Sequence, residues 1–279
     1  MTGQIRIKKH SGELDPFSED KLRNSLSNAG AKQNVVDEVL AEIKPDLYDG
    51  IKSSEVYRSA HRSLKKKEHI NSSRYGLKKS ILQLGPTGYP FEVLVSEIMA
   101  SEGYAVQTGI TLPGKHVTHE IDVLAESNAE LLMMECKFHN KPGYKSDVKV
   151  PLYINSRYRD VDDIWKRQGK YSEKNTQGCV ITNSRFTQDA LDYGLGEGMQ
   201  MISWDYPAEN SLKKRINDYH LYPITSLQSI TQKDKKLLIE EGIVAIKSLC
   251  ENFDLLGKLG YSNNKISKIV SEANLVCEI

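Results

Sequence analysis

The sequence predicts a mixed α/β domain carrying a mainly helical segment on each side, and three observations predict it. Hydrophobic periodicity is helical from residue 17 to 84, alternates between helix and strand from 91 to 204, and is helical again from 222 onward. A turn-rich string, Pro86-Thr87-Gly88-Tyr89-Pro90, separates the first two regimes. The chain has 279 residues, long for one ordinary domain and comfortable for a domain with two attachments. The expected units are residues 1–88, 89–208 and 222–279.

The first unit opens with an alternating strand, Gln4 to Lys8, a turn at His10-Ser11-Gly12, and a helix whose N-cap is Ser18. Leu22 and Leu26, then Val35 to Ile43, then Val56, Ala60 and Leu64 mark three apolar stripes, and Arg74 to Leu84 reads as a fourth helix stopped by Gly85-Pro86. In the second unit Phe91 to Glu102 is helical. Strands are expected at Tyr104–Thr111, Glu120–Ala125, Leu131–Phe138, Gly178–Thr182 and Met199–Trp204, with helices around Val161–Tyr171 and Thr187–Tyr193. The third unit divides into short helices at Glu241-Gly242 and at Lys258 to Tyr261.

Composition narrows the setting. With 38 Lys and Arg against 37 Asp and Glu the formal charge is +1, so any surface for nucleic acid must be local. Cys136, Cys179, Cys250 and Cys277 stand far apart, without a Cys-x-x-Cys pair, which argues against a disulfide framework or a zinc site and for a reducing, cytoplasmic setting. No apolar run approaches the ~20 residues that span a bilayer, and the polar start from Met1 to His10 is no export signal, so no membrane partner is expected.

The chemistry-bearing stretch is Ile121-Asp122-Val123, a turn at Ser127-Asn128, and Glu135-Cys136-Lys137 thirteen positions beyond Asp122. Strand alternation puts Glu135 and Lys137 on one face, and a hairpin brings Asp122 alongside. Two carboxylates, the Cys136 carbonyl and a phosphate oxygen form a natural oxygen set for Mg2+ or Mn2+. A lysine beside them can orient a water and stabilise charge on phosphate. The same pattern is compatible with a solvated strand face. In favour of a site, the apolar run Leu131 to Met134 ends abruptly in charge.

Residues 91 to 204 resemble the Mrr-type restriction endonucleases of the PD-(D/E)XK superfamily. The matching residues, in order, are Phe91-Glu92, Gly103-Tyr104, Ile121-Asp122, Glu135-Cys136-Lys137 and Ile181 to Thr187 with Ala190. The resemblance implies a restriction-endonuclease-like α/β core and metal-dependent cleavage of DNA, with Asp122 and Glu135 as metal ligands and Lys137 as the catalytic lysine. Glu92 then corresponds to the family's first-helix acid, although charge complementarity at a helix N-terminus explains it nearly as well. Gln168 is an accessory candidate, a solvent-facing Gln being the simpler account. Between Phe138 and Tyr171 eight Lys or Arg outnumber four Asp and are interleaved with aromatics, which suits phosphate contacts and equally a solvated loop.

The N-terminal unit is similar to the ATP cone, a regulatory nucleotide-binding module, through Ile7 to Gly12, Phe17 to Leu22, Tyr48 to Ser53 and Arg74-Tyr75. That similarity implies ATP or dATP as regulatory ligand and places Lys9, Lys21 and Ser53 near it; His10-Ser11 departs from the family's usual Arg-Asp. A structural or oligomerising cone is the alternative. No phosphate-loop motif is present, so sensing is expected in place of hydrolysis. The tail resembles a helix-hairpin-helix pair, in Leu237 to Ile243 and Leu256 to Ser262, and would meet DNA phosphates through backbone amides. Ten basic against eight acidic residues from Lys213 onward fit a packing or dimerising element too. The resulting expectation is a nucleotide-regulated, metal-dependent endonuclease that acts on DNA as a homo-oligomer. A non-catalytic DNA-binding or assembly protein on the same fold is the alternative.

Overall fold

The computed structural model describes residues 5–9, 12–169 and 171–277, so Gln4, His10 and Ser11 from the motifs above lie outside the described residues. The N-terminal unit contains β1 (Arg6–Lys8), β2 (Leu14–Pro16), α1 (Glu19–Ser27), α2 (Gln33–Ile43), β3 (Ile51–Lys52), α3 (Ser53–Lys67) and α4 (His69–Tyr75). Its sheet has the order β2-β1-β3, two strands more than the sequence predicts, because pieces of two or three residues leave no period. Ser18 caps α1 as expected, its hydroxyl accepting from the Lys21 N–H at 3.2 Å. The stripes carrying Leu26, Val36, Val39, Leu40, Ala60 and Leu64 close on one another in a core of their own.

The helix expected over Arg74 to Leu84 is two helices, broken at Gly76: α4 ends at Tyr75 and α5 covers Leu77–Leu82. The break redirects the chain. Tyr75 belongs to the cone's core, whereas Leu77, Ile81 and Leu84 pack into the next one.

The central unit follows as α6 (Tyr89–Ser101), β4 (Ala105–Pro113), β5 (Thr118–Glu126), β6 (Glu130–Lys137), β7 (Lys145–Ser146), α7 (Lys149–Arg167), β8 (Asn175–Thr182), β9 (Arg185–Phe186), α8 (Gln188–Gly196), β10 (Gln200–Ile202) and α9 (Leu212–Asp218). The main sheet has the order β10-β8-β6-β5-β4, antiparallel from β4 to β6 and parallel from β6 to β10. Helix α7 is the crossover between the parallel strands β6 and β8. It begins twelve residues before the expected Val161, and Val150, Ile154, Tyr158, Val161 and Trp165 are the apolar row that the basic composition obscures.

One sheet face packs on α6, joining Phe91, Leu94 and Ile98 to Val123, Met134 and Ile181. The other lies under α7, joining Leu124, Leu131 and Met133 to Val161 and Trp165. The tail forms α10 (Gln232–Glu240), α11 (Ile246–Cys250), α12 (Asp254–Lys258) and α13 (Asn263–Cys277). Gly242 and Gly260, at the two expected turns, have φ of +81° and +75°, a backbone region open to glycine. Leu238, Ile246, Leu249, Leu256 and Ile269 are completely or almost completely buried in the same core as α6.

Cysteine spacing argued against a disulfide, but the structure joins Cys250 to Cys277, 27 residues apart, because the end of α11 lies against the end of α13. Cys136 and Cys179 are free and buried. Among the described residues no helix is long and apolar enough to cross a membrane.

Candidate active site

The site forms where β5 and β6 part. Their ladder runs from Glu126–Leu131 to Val123–Met134 and goes no further. Beyond it the Cys136 N–H donates to Asp122 Oδ2 at 2.7 Å, so a carboxylate takes the place of a strand carbonyl. Alternation on β6 sends Met134 and Cys136 into the α6 core, and it sends Glu135 and Lys137 to the face covered by α7.

Glu135 is 8% exposed, and a carboxylate this deep requires partners. Its Oε1 accepts from Lys137 Nζ at 2.5 Å and its Oε2 from Arg157 Nη1 at 2.6 Å. Arg157 also donates to the Glu120 carbonyl, and its guanidinium lies 5.4 Å from the centre of the Tyr153 ring. Sequence reasoning missed Arg157 because it lies in the half of α7 that went unrecognised. Asp160, three residues further, fixes α7 to the β4–β5 hairpin: it accepts from the His116 N–H at 3.1 Å and pairs with His119 at 2.8 Å.

Glu92, in the first turn of α6, faces the same group. Burial, then the negative charges of Asp122 and Glu135, push its carboxyl up to about 6. Burial and the Glu135 charge likewise raise Asp122, against the Cys136 N–H and the Lys137 charge. A cation would relieve the repulsion felt at Glu92 and Asp122, and an all-oxygen set suits a hard one. Among the described residues no three His, Cys, Asp or Glu side chains already gather for a metal, and Lys137 and Arg157 hold both Glu135 oxygens. A hard divalent cation would fit the donors present if Glu135 exchanged one ion pair for it. The Cys136 side chain is buried in the α6 core, which leaves its backbone carbonyl for a ligand role.

Gln168 is not brought to this group. It caps the far end of α7, eleven residues past Arg157, which at 1.5 Å per residue is about 16 Å along the helix. In the N-terminal unit Lys9 and Ser53 follow the register pair Lys8–Lys52, so they leave the sheet side by side, and the Lys21 charge is felt at Asp15. Lys9 is already paired, 2.6 Å from Asp15 and 3.8 Å from Glu13.

Comparison with known proteins divides the chain three ways. An ATP cone domain model matches residues 5–75, a restriction endonuclease model residues 85–206, and an AF1548-like, C-terminal model residues 222–277. An uncharacterized protein of Archaeoglobus fulgidus is 30% identical over 183 residues, which cover 65% of this chain and 99% of the relative. The crystal structure of a protein of unknown function, AF1548, is similar with a TM-score of 0.57 at 28% identity, covering 69% of this chain and all of its own.

Proposed function

Because the chain belongs to the Mrr-type restriction endonuclease family, with an ATP cone ahead of that domain and an AF1548-like domain behind it, we propose that it is a metal-dependent DNA endonuclease whose rate answers to ATP or dATP. One observation carries this reading: where β5 and β6 diverge, Asp122 takes the Cys136 N–H, Glu135 is held by Lys137 and Arg157, and the charges of both acids are felt at Glu92. Asp122, Glu135 and the Cys136 carbonyl would hold the ion, with Glu92 supporting them. A divalent cation, when bound, supplies Lewis acidity at the scissile phosphate. Lys137 orients the attacking water and stabilises the charge that grows on the phosphate. Arg157, 2.6 Å from Glu135 Oε2, keeps that carboxylate turned inward.

A path for DNA is supported beside the lysine strand. A pocket of about 180 Å³ is lined by Lys78, Lys141, Lys145 and Arg185, with the His139 and Tyr144 rings 4.0 Å apart at its wall. Such a group suits phosphate contacts that position a strand without reading it. The tail's glycine turns would add backbone amides in the manner of a helix-hairpin-helix pair.

Plasmid nicking tests the proposal. Cleavage should require Mg2+ or Mn2+, stop in EDTA, and change with ATP or dATP. Lys137→Ala should lower the rate by about 10²–10³, the loss expected for one transition-state charge contact, and Glu135→Ala by at least as much, with folding and duplex binding retained. Full nicking by a folded Glu135→Ala protein would remove the assignment and leave a DNA-binding or assembly role.

A further inference from the structure

A cleft of about 210 Å³ lies between the cone and the central unit, with Tyr57 and Arg74 on one side and Trp204, Lys213 and Asn217 on the other. We propose that this cleft binds a phosphate-bearing anion through its phosphate group, gripped by Arg74 and Lys213 with Lys78 at the rim.

The charge balance of the cleft is incomplete as it stands. Three lining side chains are cations, and no Asp or Glu lines it among the described residues. Arg74 Nε and Nη2 are shut off from solvent without a hydrogen-bond partner, and the guanidinium lies over the Tyr222 ring, 5.7 Å from its centre. Two such donors are costly to leave unmade. Lys78 Nζ sits 5.2 Å from the centre of the Trp204 ring. Burial and the like charges of Arg185 and Lys213 push its pKa down, and the nearby Asp205 is engaged 2.5 Å from Arg185. An anion in the cleft would satisfy the Arg74 donors and relieve the repulsion at Lys78 together.

Size and position narrow the ligand. Pockets that enclose a drug-sized molecule run to about 300–1,000 Å³, so this cleft suits a phosphate group or short oligophosphate. The expected nucleotide residues Lys9, Lys21 and Ser53 do not line it, while Trp204 and Lys213 come from beyond the cone. Occupancy therefore depends on the cone being docked. Lys78 also lines the basic pocket beside the lysine strand, so the bound anion and a DNA strand would draw on one shared cation.

The test uses the full chain without divalent metal, titrated with inorganic tripolyphosphate in a calorimeter. The wild type should bind. Lys213→Gln should weaken that binding about tenfold, as for one lost charge-assisted hydrogen bond, and Arg74→Gln with Lys213→Gln should weaken it further. Lys9→Ala should leave it unchanged. Lys213 is only half-buried, so its variant reports even if Arg74→Gln fails to fold. ATP and a short DNA duplex, added as competitors, tell the two phosphate sources apart. Displacement by ATP alone assigns the cleft to a free nucleotide's phosphates, and displacement by duplex assigns it to the DNA backbone. Unchanged affinity in Lys213→Gln, loss of binding in Lys9→Ala, or no binding by wild type at millimolar concentration overturns the proposal.

Discussion

The cone and the tail hold to the central sheet in different physical ways. The cone closes a core of its own around Leu26, Val39, Leu40 and Leu64, and meets its neighbour across a polar, cationic cleft. The tail has no separate core: Leu238, Val244, Leu249 and Leu256 share one with Phe91, Leu94 and Ile98 of α6. Polar links follow the same division. Ser248 donates to Glu97 at 2.7 Å and Thr225 to the Ser80 carbonyl at 2.6 Å, both binding tail to central unit. A module with its own core can be moved or removed as a body, whereas an element that completes another's core cannot.

Truncation breaks this comparison most sharply. A chain ending before Tyr222 would expose the α6 core to water and should be insoluble or lose its near-UV circular dichroism. A chain starting at Gly76 should remain folded, because Tyr75 and Leu77 lie in different cores. Equal behaviour of the two truncations would contradict the division. A deletion of the tail therefore says nothing clean about DNA binding, since its first effect is on the fold.

Single substitutions sharpen the same point. Leu256→Ala should cost about 2–5 kcal/mol and lower the melting of the whole central unit, since Leu256 is fully buried there. Leu40→Ala removes a similarly buried side chain, 2% exposed, but its loss should be confined to the cone. Scanning calorimetry should show one transition moving in each variant, and a different one in each.

These two attachments also mark what was legible in the sequence. The β5–β6 hairpin was, because strand-length apolar segments flank Ser127-Asn128 and the two-residue period of a strand fixes which residues share a face, and Asp122, Glu135 and Lys137 meet at its open end. Arg157 was not, because basic residues and Pro151 mask the apolar row that makes Lys149–Arg167 one helix. The fused tail core was invisible for another reason. Leu256 beside α6, like Cys250 beside Cys277, depends on long-range packing, and local periodicity says only that a residue is buried, never against what. Gly76 lies between the extremes: a single glycine in a helical pattern is tolerated at some cost, and near a helix end it can serve as a cap.

Acid should separate the attachments next. Asp234, at the start of α10, is held far below the usual carboxyl range: burial alone would raise it, but hydrogen bonds from Lys265 and Thr231 outweigh burial. A depressed folded value gives stability that is present above the unfolded value near ~3.9 and is lost as pH falls toward the folded one. Asp234→Asn should cost about 1–3 kcal/mol at neutral pH and flatten the acid dependence of the central transition below pH ~4. In the cone, Arg6 holds Asp49 down to about 2, but both side chains are 53% exposed and solvent screens the pair, so Asp49→Asn should hardly move the cone's transition. Equal acid sensitivity in both variants would mean that burial is not what sets the two apart.

The smallest expected effect is the most specific. Lys9 leaves the cone's sheet beside Ser53, with its charge already matched by Asp15 and Glu13 in an exposed setting. Removing it should not shift the cone's melting temperature, since exposed pairs of this kind contribute little. Basal nicking should also be unchanged, because Lys9 lies in a different core unit from Glu135 and touches none of its partners. If ATP or dATP controls the nuclease, it must favour one arrangement of cone and central unit over another, as equal affinity for both would shift nothing. Lys9→Ala should then weaken nucleotide binding in calorimetry and erase the difference between nicking with and without nucleotide, leaving the rate at its nucleotide-free value. A variant that still responds to ATP with wild-type affinity would take Lys9 out of the sensor. A wild-type protein that binds neither ATP nor dATP at millimolar concentration would make the cone a scaffold, joined to the nuclease through its docking surface alone.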